Sequence, residues 1–258
     1  MKSLAYLRLA TTILAMTLYT PMAALAAPSL SQVQPEVLPA YRVTGAIQVD
    51  GDLSEWPALI PLNDEQIPDW YTGQNLRVWQ GRDDGQPLGD DWRGEFAFAW
   101  DDEYLYFAGN VTDDLYWVEW NEAANFPRGD RFRLYLDVLG TNDPTPSDWQ
   151  YMLLINPLGI AISPMNASDD SKGIVPKGVK LAARMNGESW SIEVAIPKDS
   201  LPPLKLEAGR ILGVDVVMDD YDMPRTRTHC IAYFGGPDHW TTAANWGKME
   251  LQRGAGNP

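Results

Sequence analysis

The chain is poor in the side chains that most hydrolases and redox proteins use. It contains one cysteine, Cys230, and two histidines, His229 and His239. A single cysteine excludes an internal disulfide, and its place in the alternating run HCIAYF predicts a buried side chain. Neither histidine has a partner at zinc-ligand spacing, and no nucleophile elbow or phosphate loop occurs. The sequence therefore predicts a protein that is not an enzyme. A glycosidase-type carboxylate pair among the 35 acidic residues stays open as an alternative.

Positive charge is also scarce. Lysine and arginine total 20, so the formal net charge of the chain is −15. Nucleic acids and anionic membranes bind through clusters of basic side chains, so neither is expected as a partner. An acidic surface instead favours neutral ligands and divalent cations.

The first 26 residues resemble a secretory signal. Lys2 and Arg8 precede the apolar run LATTILAMTL, and AALAA supplies a cleavage site near Ala26. The run is too interrupted for a membrane span, so we expect a secreted or periplasmic protein with no membrane contact after cleavage. The predicted organisation is a signal peptide at 1–26, a Pro-rich irregular lead-in at 27–44, one domain at 45–253 and a tail at 254–258.

Short alternating runs follow one another along the domain. EFAFAW places Phe96, Phe98 and Trp100 on one face, and RFRLYLDV separates four apolar from four polar side chains. MNGE predicts a hairpin between two further runs. About ten such runs, with long loops rich in Trp and Asp at 57–94 and 112–130, predict an all-β, antiparallel, jelly-roll-like β-sandwich.

The chain has eleven tryptophans, more than the core of such a domain requires. Trp100 and Trp190 lie in alternating runs and are predicted to be core, and Trp246 is predicted to close the last strand. Other rings stand in polar loops, where a flat ring takes the C–H face of a sugar while polar neighbours take its hydroxyls. These loop rings are Trp70, Tyr71, Trp79, Trp92, Trp117, Trp120, Phe126 and Trp240.

Paired aspartates recur through the loops. The densest group is Asp219, Asp220 and Asp222, and oxygen-rich loops of this kind suit calcium. The alternative is that each pair only marks a turn, because Asp bonds to its own backbone there. We expect a structural calcium, with this group as the candidate site.

Several segments, taken in order, resemble family 9 carbohydrate-binding modules. They are IQVDGDLSEWPAL, FAWDDEYLYFAGNVTDD, GDRFRLYLD, GESWSIEVAIPKDSL, GRILGVDVVMDD and HWTTAANWGKMEL. The resemblance runs from about Val43 to Leu251. It implies a β-sandwich that binds saccharides without cutting them, often with structural calcium.

The resemblance also implies a site. Trp240 falls on one of the two rings that clamp a sugar in the family, and Phe126 is the residue nearest to the other. Arg133 stands where the family has a carboxylate, and Gln150 lies near the position of a family arginine. Apart from the resemblance, we predict that Asp238, close to Trp240 in the sequence, also contacts the sugar, and that Trp120 is a further ligand-binding ring. Two alternatives remain open: a haem-binding electron-transfer domain of the related sandwich fold, with methionine or histidine ligands, and a domain that keeps the fold only for protein contacts.

Overall fold

The computed structural model describes residues 37–45, 47–56, 58–62, 92–123, 125–167, 173–187, 189–221, 229–234 and 240–254. These residues form fourteen strands and two single-turn 3-10 helices, Leu53–Glu55 and Lys198–Ser200. Among them, no helix has the length and hydropathy needed to cross a bilayer. The strands are β1 (Val37–Arg42), β2 (Ile60–Leu62), β3 (Trp92–Trp100), β4 (Tyr104–Asp113), β5 (Val118–Asn121), β6 (Phe126–Gly129), β7 (Arg131–Asp137), β8 (Gln150–Asn156), β9 (Gly159–Pro164), β10 (Lys180–Asn186), β11 (Ser189–Pro197), β12 (Ile211–Asp220), β13 (His229–Ala232) and β14 (Gly247–Gln252).

Twelve of these strands form one continuous sheet that folds into two layers. The path runs β10-β11-β4-β3-β1-β14-β12-β7-β8-β9, with β2 on β3 and β13 on β12. We call β10, β11, β4, β3 and β2 the first half-sheet, and β14, β13, β12, β7, β8 and β9 the second half-sheet. Every pairing is antiparallel except the two made by β1, which is parallel to β14 and to β3. The predicted all-β sandwich is confirmed, with β1 as the exception to its antiparallel pairing.

The core lies between the two half-sheets, where the predicted alternation holds. Phe96, Phe98 and Trp100 of β3 share one cluster with the four apolar side chains of the RFRLYLDV run. The ring of Phe132 lies 5.1 Å from that of Phe107 and 5.7 Å from that of Trp190. Opposite-facing residues of β3 and β7 lie outside this cluster, because successive side chains of a strand point to opposite faces.

Three expectations about irregular segments are wrong. Val37–Arg42 lies in the predicted lead-in yet forms β1, with Leu38 and Ala40 fully buried. Trp92, predicted to be a loop ring, begins β3 and is 1% exposed. The segment 112–130 contains β5 and β6, which pair as a separate two-stranded sheet. In each case tertiary pairing imposes strand structure on residues with weak local signals.

Part of the outer face of each half-sheet is covered by residues from outside that half-sheet's strands. On the first, the carboxylate of Glu193 accepts hydrogen bonds from the backbone N–H groups of Asp50 and Gly51 and from the indole N–H of Trp56, at 2.7–2.9 Å. On the second, Trp246 is buried and its ring lies 5.4 Å from that of Tyr135. The structural role predicted for Trp246 is thereby confirmed.

Candidate functional site

A buried ion pair forms the floor of the outer face of the second half-sheet. A terminal nitrogen of Arg133 on β7 lies 2.7 Å from Asp219 on β12, and their side chains are 8% and 0% exposed. Arg133 also donates to the hydroxyl of Tyr135 at 3.1 Å and to the sulfur of Cys230 at 3.1 Å. The strand alternation predicted from RFRLYLDV places Arg133 and Tyr135 on this face.

Electrostatics fix the charge states of this floor. Burial lowers the pKa of Arg133, but the charge of Asp219, the neighbouring Tyr135 and Cys230 and the hydrogen bond to Asp219 together outweigh burial, and the pKa stands well above its ordinary value. Burial raises the pKa of Tyr135 to about 12. At neutral pH the floor therefore holds a cationic guanidinium and a neutral phenol.

Arg131 ties this floor to the β5–β6 hairpin. Its Nε donates to the other oxygen of Asp219 at 3.0 Å, and its Nη1 donates to the carbonyl of Pro127 at 2.9 Å. The guanidinium also lies 5.7 Å from the ring centroid of Tyr221. Because Pro127 adjoins Phe126, this chain of contacts connects the hairpin directly to the ion pair.

Trp240 is half-buried beside the same floor. It packs with Met152 and Met165 against a buried cluster that includes Tyr135 and Trp246. The ring is thus supported from beneath by fixed side chains, and its surface is only partly covered. Met152 and Met165 are partly buried against the same cluster, and methionine side chains adapt readily to a ligand.

The remaining predicted residues take different positions. Gln150 is buried, and its amide donates to the carbonyl of Asp143 at 2.8 Å, so its side chain stabilises the loop that precedes β8.

The two candidate rings of the β5–β6 hairpin lie apart from each other. Phe126 lies under the guanidinium of Arg128 at 5.3 Å. Trp120 packs over Gly159, where an added Cβ would lie 2.8 Å from the indole. Since Trp120 pairs with Pro127 and Phe126 with Asn121, the two rings point to opposite faces of the hairpin. Asp238 lies outside the described residues.

Three buried carboxylates meet at one end of the sandwich. Oxygen atoms of Asp113, Asp130 and Asp220 all lie within 4.8 Å of one another. Asp130 accepts hydrogen bonds from the backbone N–H groups of Trp117 at 2.5 Å and Tyr221 at 2.8 Å. Burial, followed by the charge of Asp113, raises the pKa of Asp130 to about 9. We call these three residues the acid cluster.

The acid cluster fits a hard divalent cation. Such ions take carboxylate oxygens, and a positive charge relieves the repulsion among three buried acids. Of the metal residues predicted from the sequence, Asp220 belongs to the cluster and Asp222 lies outside the described residues. Asp219 points to the opposite face of β12 and pairs with Arg131 and Arg133. Asp219 and Asp220 therefore do not share one site.

The sequence contains a signal for this cluster that the paired-aspartate pattern does not reveal. Asp113, Asp130 and Asp220 each stand two residues from a core-facing side chain: Val111, Phe132 and Met218. Strand alternation therefore directs all three acids inward, at strand ends on the same side of the core.

Comparison with known proteins agrees with this architecture. The sequence model of the family described as "Carbohydrate family 9 binding domain-like" matches residues 68–254. No curated protein sequence matches the chain. A family 9 carbohydrate binding module from Caldicellulosiruptor kristjanssonii in complex with cellotriose superposes with a TM-score of 0.60 at 14% identity, covering 85% of this chain and 95% of that one. The glucose complex of a family 9 module from the same organism gives 0.58 at 16% identity, covering 85% and 98%.

At these identities the solved structures establish the fold, and the sequence match establishes the family. The match covers well over half of the chain and includes the second half-sheet with Trp240, Arg133 and the acid cluster. The resemblance identified from ordered sequence segments is confirmed: the protein belongs to the carbohydrate family 9 binding domain-like family.

Proposed function

We propose that the chain is an exported, non-catalytic carbohydrate-binding protein that holds a saccharide against Trp240 on the outer face of the second half-sheet. The observation that carries the proposal is the position of Trp240, half-buried on a rigid cluster and beside a fixed polar floor. A flat ring held in this way offers its π-face to sugar C–H groups without loss of side-chain freedom on binding.

The floor beneath the ring supports this role. Arg133, Asp219 and Tyr135 hold one another in place through hydrogen bonds of 2.7–3.1 Å, so the supporting strands are preorganised. Arg131 bonds both to Asp219 and to the carbonyl of Pro127, so it links the ion pair to the backbone next to Phe126. Structural relatives with bound cellotriose and glucose are consistent with a neutral glycan as the ligand.

Calcium has a structural part in this proposal. The acid cluster would hold the ion between the ends of β4 and β12 and the start of β7. There it would supply positive charge among buried carboxylates and join the two half-sheets at one end. It has no role in contact with the sugar.

The proposal is tested by titrating the full chain with a saccharide panel that includes glucose and cellotriose, with calorimetry as the readout. We expect saturable binding in the parent and loss of at least tenfold in affinity for Trp240→Ala. Tyr104→Ala removes a ring that is also half-buried, but on the first half-sheet, and is expected to bind like the parent.

Three results would contradict the proposal. The first is equal binding by the parent and Trp240→Ala. The second is a Soret absorption band in the purified protein, which would favour haem binding. The third is release of reducing sugar from a polysaccharide, which would indicate a glycosidase. Cell fractionation tests export, since retention in the cytoplasm would overturn that part of the proposal.

A further inference from the structure

A groove of about 520 Å³ lies on the outer face of the first half-sheet. It runs between the turn at 51–54 and the β10–β11 hairpin, with Asn110 of β4 and Ser191 of β11 side by side in the same register. Leu59 and Met185 line it with aliphatic surface. Its volume falls within the roughly 300–1,000 Å³ typical of small-ligand sites.

One wall of the groove, formed by residues 50–52, is held in place by hydrogen bonds to β10 and β11 in the absence of a ligand. Two backbone N–H groups of the wall, at Asp50 and Gly51, donate to the buried carboxylate of Glu193 at 2.9 and 2.7 Å. The hydroxyl of Ser191 donates to the carbonyl of Gly51 at 2.7 Å. Arg184 of β10 reaches across to the same wall and bonds to Asp52 at 2.8 Å. A wall held at both ends loses little freedom when a ligand binds.

The chemistry of the lining selects a class of ligand. Arg184 pairs with Asp52 at 2.8 Å and with Asp50 at 3.1 Å, so the guanidinium that lines the groove is already compensated and offers no free positive charge to an anion. The other polar groups are neutral amides and hydroxyls, among them Asn110, Asn186 and Ser189. Neutral donors and acceptors beside aliphatic side chains match a ligand that carries hydroxyls on a C–H framework.

We infer that this groove is a second saccharide-binding site. The inner faces of the two half-sheets share one core, so the groove and Trp240 lie on opposite sides of the sandwich. The groove offers hydrogen bonds and aliphatic contact, whereas Trp240 offers a ring. Two sites that face apart let one molecule bridge two separate glycan chains.

The test uses the full chain labelled with ¹⁵N, titrated with cellotriose, xylotriose and chitotriose while amide shifts are followed. We expect at least one sugar to shift the amides of Ser189, Ser191 and Asn110, in the parent and equally in Trp240→Ala. Asn110→Ala removes hydrogen bonds worth about 1 kcal/mol and should weaken binding at the groove about fivefold. Gln252→Ala, a matched amide truncation on β14, should leave it unchanged.

The titration tests the groove and the Trp240 site separately, because each site has its own amide signals. Shifts confined to the Trp240 side, with the groove amides silent for every sugar, would overturn the second site and leave the first intact. Shifts at the groove alone would support the second site and contradict the first. Groove shifts that Asn110→Ala and Gln252→Ala weaken equally would also overturn the assignment of the groove.

Discussion

Arg133 and Asp219 form an ion pair at 2.7 Å from which water is almost fully excluded, with side-chain exposures of 8% and 0%. Removing one member of such a pair leaves the other charge buried without compensation. We expect Asp219→Asn to lower the free energy of unfolding by about 3–5 kcal/mol, as measured by urea denaturation.

The matched control for that substitution is Asp102→Asn. Asp102 pairs with Arg42 at 2.6 Å, but their side chains are 76% and 44% exposed. An exposed pair contributes about 1 kcal/mol at most, so this variant should unfold close to the parent. If the two variants lose similar amounts of unfolding free energy, the buried ion pair contributes no more to stability than the exposed one.

The acid cluster makes stability depend on pH when no cation is bound. Asp130 has a pKa of about 9 in the folded protein and 3.8 as its ordinary value. Between about pH 4 and pH 9 the folded state therefore holds a proton that the unfolded chain releases, so the free energy of unfolding falls as pH rises. Thermal unfolding in EDTA across this range should show the fall, and Asp130→Asn should flatten it. A parent that becomes more stable from pH 5 to pH 8 would contradict this.

We expect calcium to offset the loss of unfolding free energy that occurs as pH rises. An ion that binds only the folded state stabilises it by about 2.7 kcal/mol at a hundred times its dissociation constant, and its affinity should rise with pH as the acid cluster loses its proton. We expect EDTA to lower the melting temperature and calcium to restore it. Asp220→Asn should abolish the calcium response, while Asp114→Asn, at an exposed position, should retain it. A melting temperature indifferent to calcium would rule out the site.

Gly109 is required for the packing of the core. A Cβ at this position would lie 2.3 Å from Cε2 of Phe132 on the opposite half-sheet. We expect Gly109→Ala to cost about 1–3 kcal/mol, since overpacking forces rings from their preferred rotamers. Gly45→Ala is the control, because nothing lies within 4 Å of its added Cβ. Chemical denaturation of the two variants compares them directly.

Much of the fold was predictable because alternation has a period of two residues. Phe132 and Arg133 are adjacent, and the pattern alone assigns the first to the core and the second to the outer face, as the structure has it. The same rule applied to Asp219 and Asp220 separates them, which the grouping of neighbouring acids overlooks. Adjacent residues of a strand are close in sequence but face apart.

The candidate site was less predictable, because it depends on which strands meet. Nothing local to Asp113 indicates that Asp130 and Asp220 approach it; pairing of β12 with β7 and folding of the sheet bring them together. Likewise, the polar surroundings of Trp240 in the sequence do not reveal the buried cluster on which it rests. Burial of Trp92 arises in the same way, from pairing with Asp113 on the neighbouring strand.

The family match begins at residue 68, whereas β1 ends at Arg42. β1 lies between β3 and β14, with Ala40 opposite Phe98 and also opposite Leu251. A chain trimmed to the family boundary would lack this strand, and two backbone edges would lose their hydrogen-bonding partner at once. Unpaired edges invite association with other chains. The sheet therefore includes a strand that lies upstream of the matched residues, and a fragment that keeps both pairings must retain Val37–Arg42.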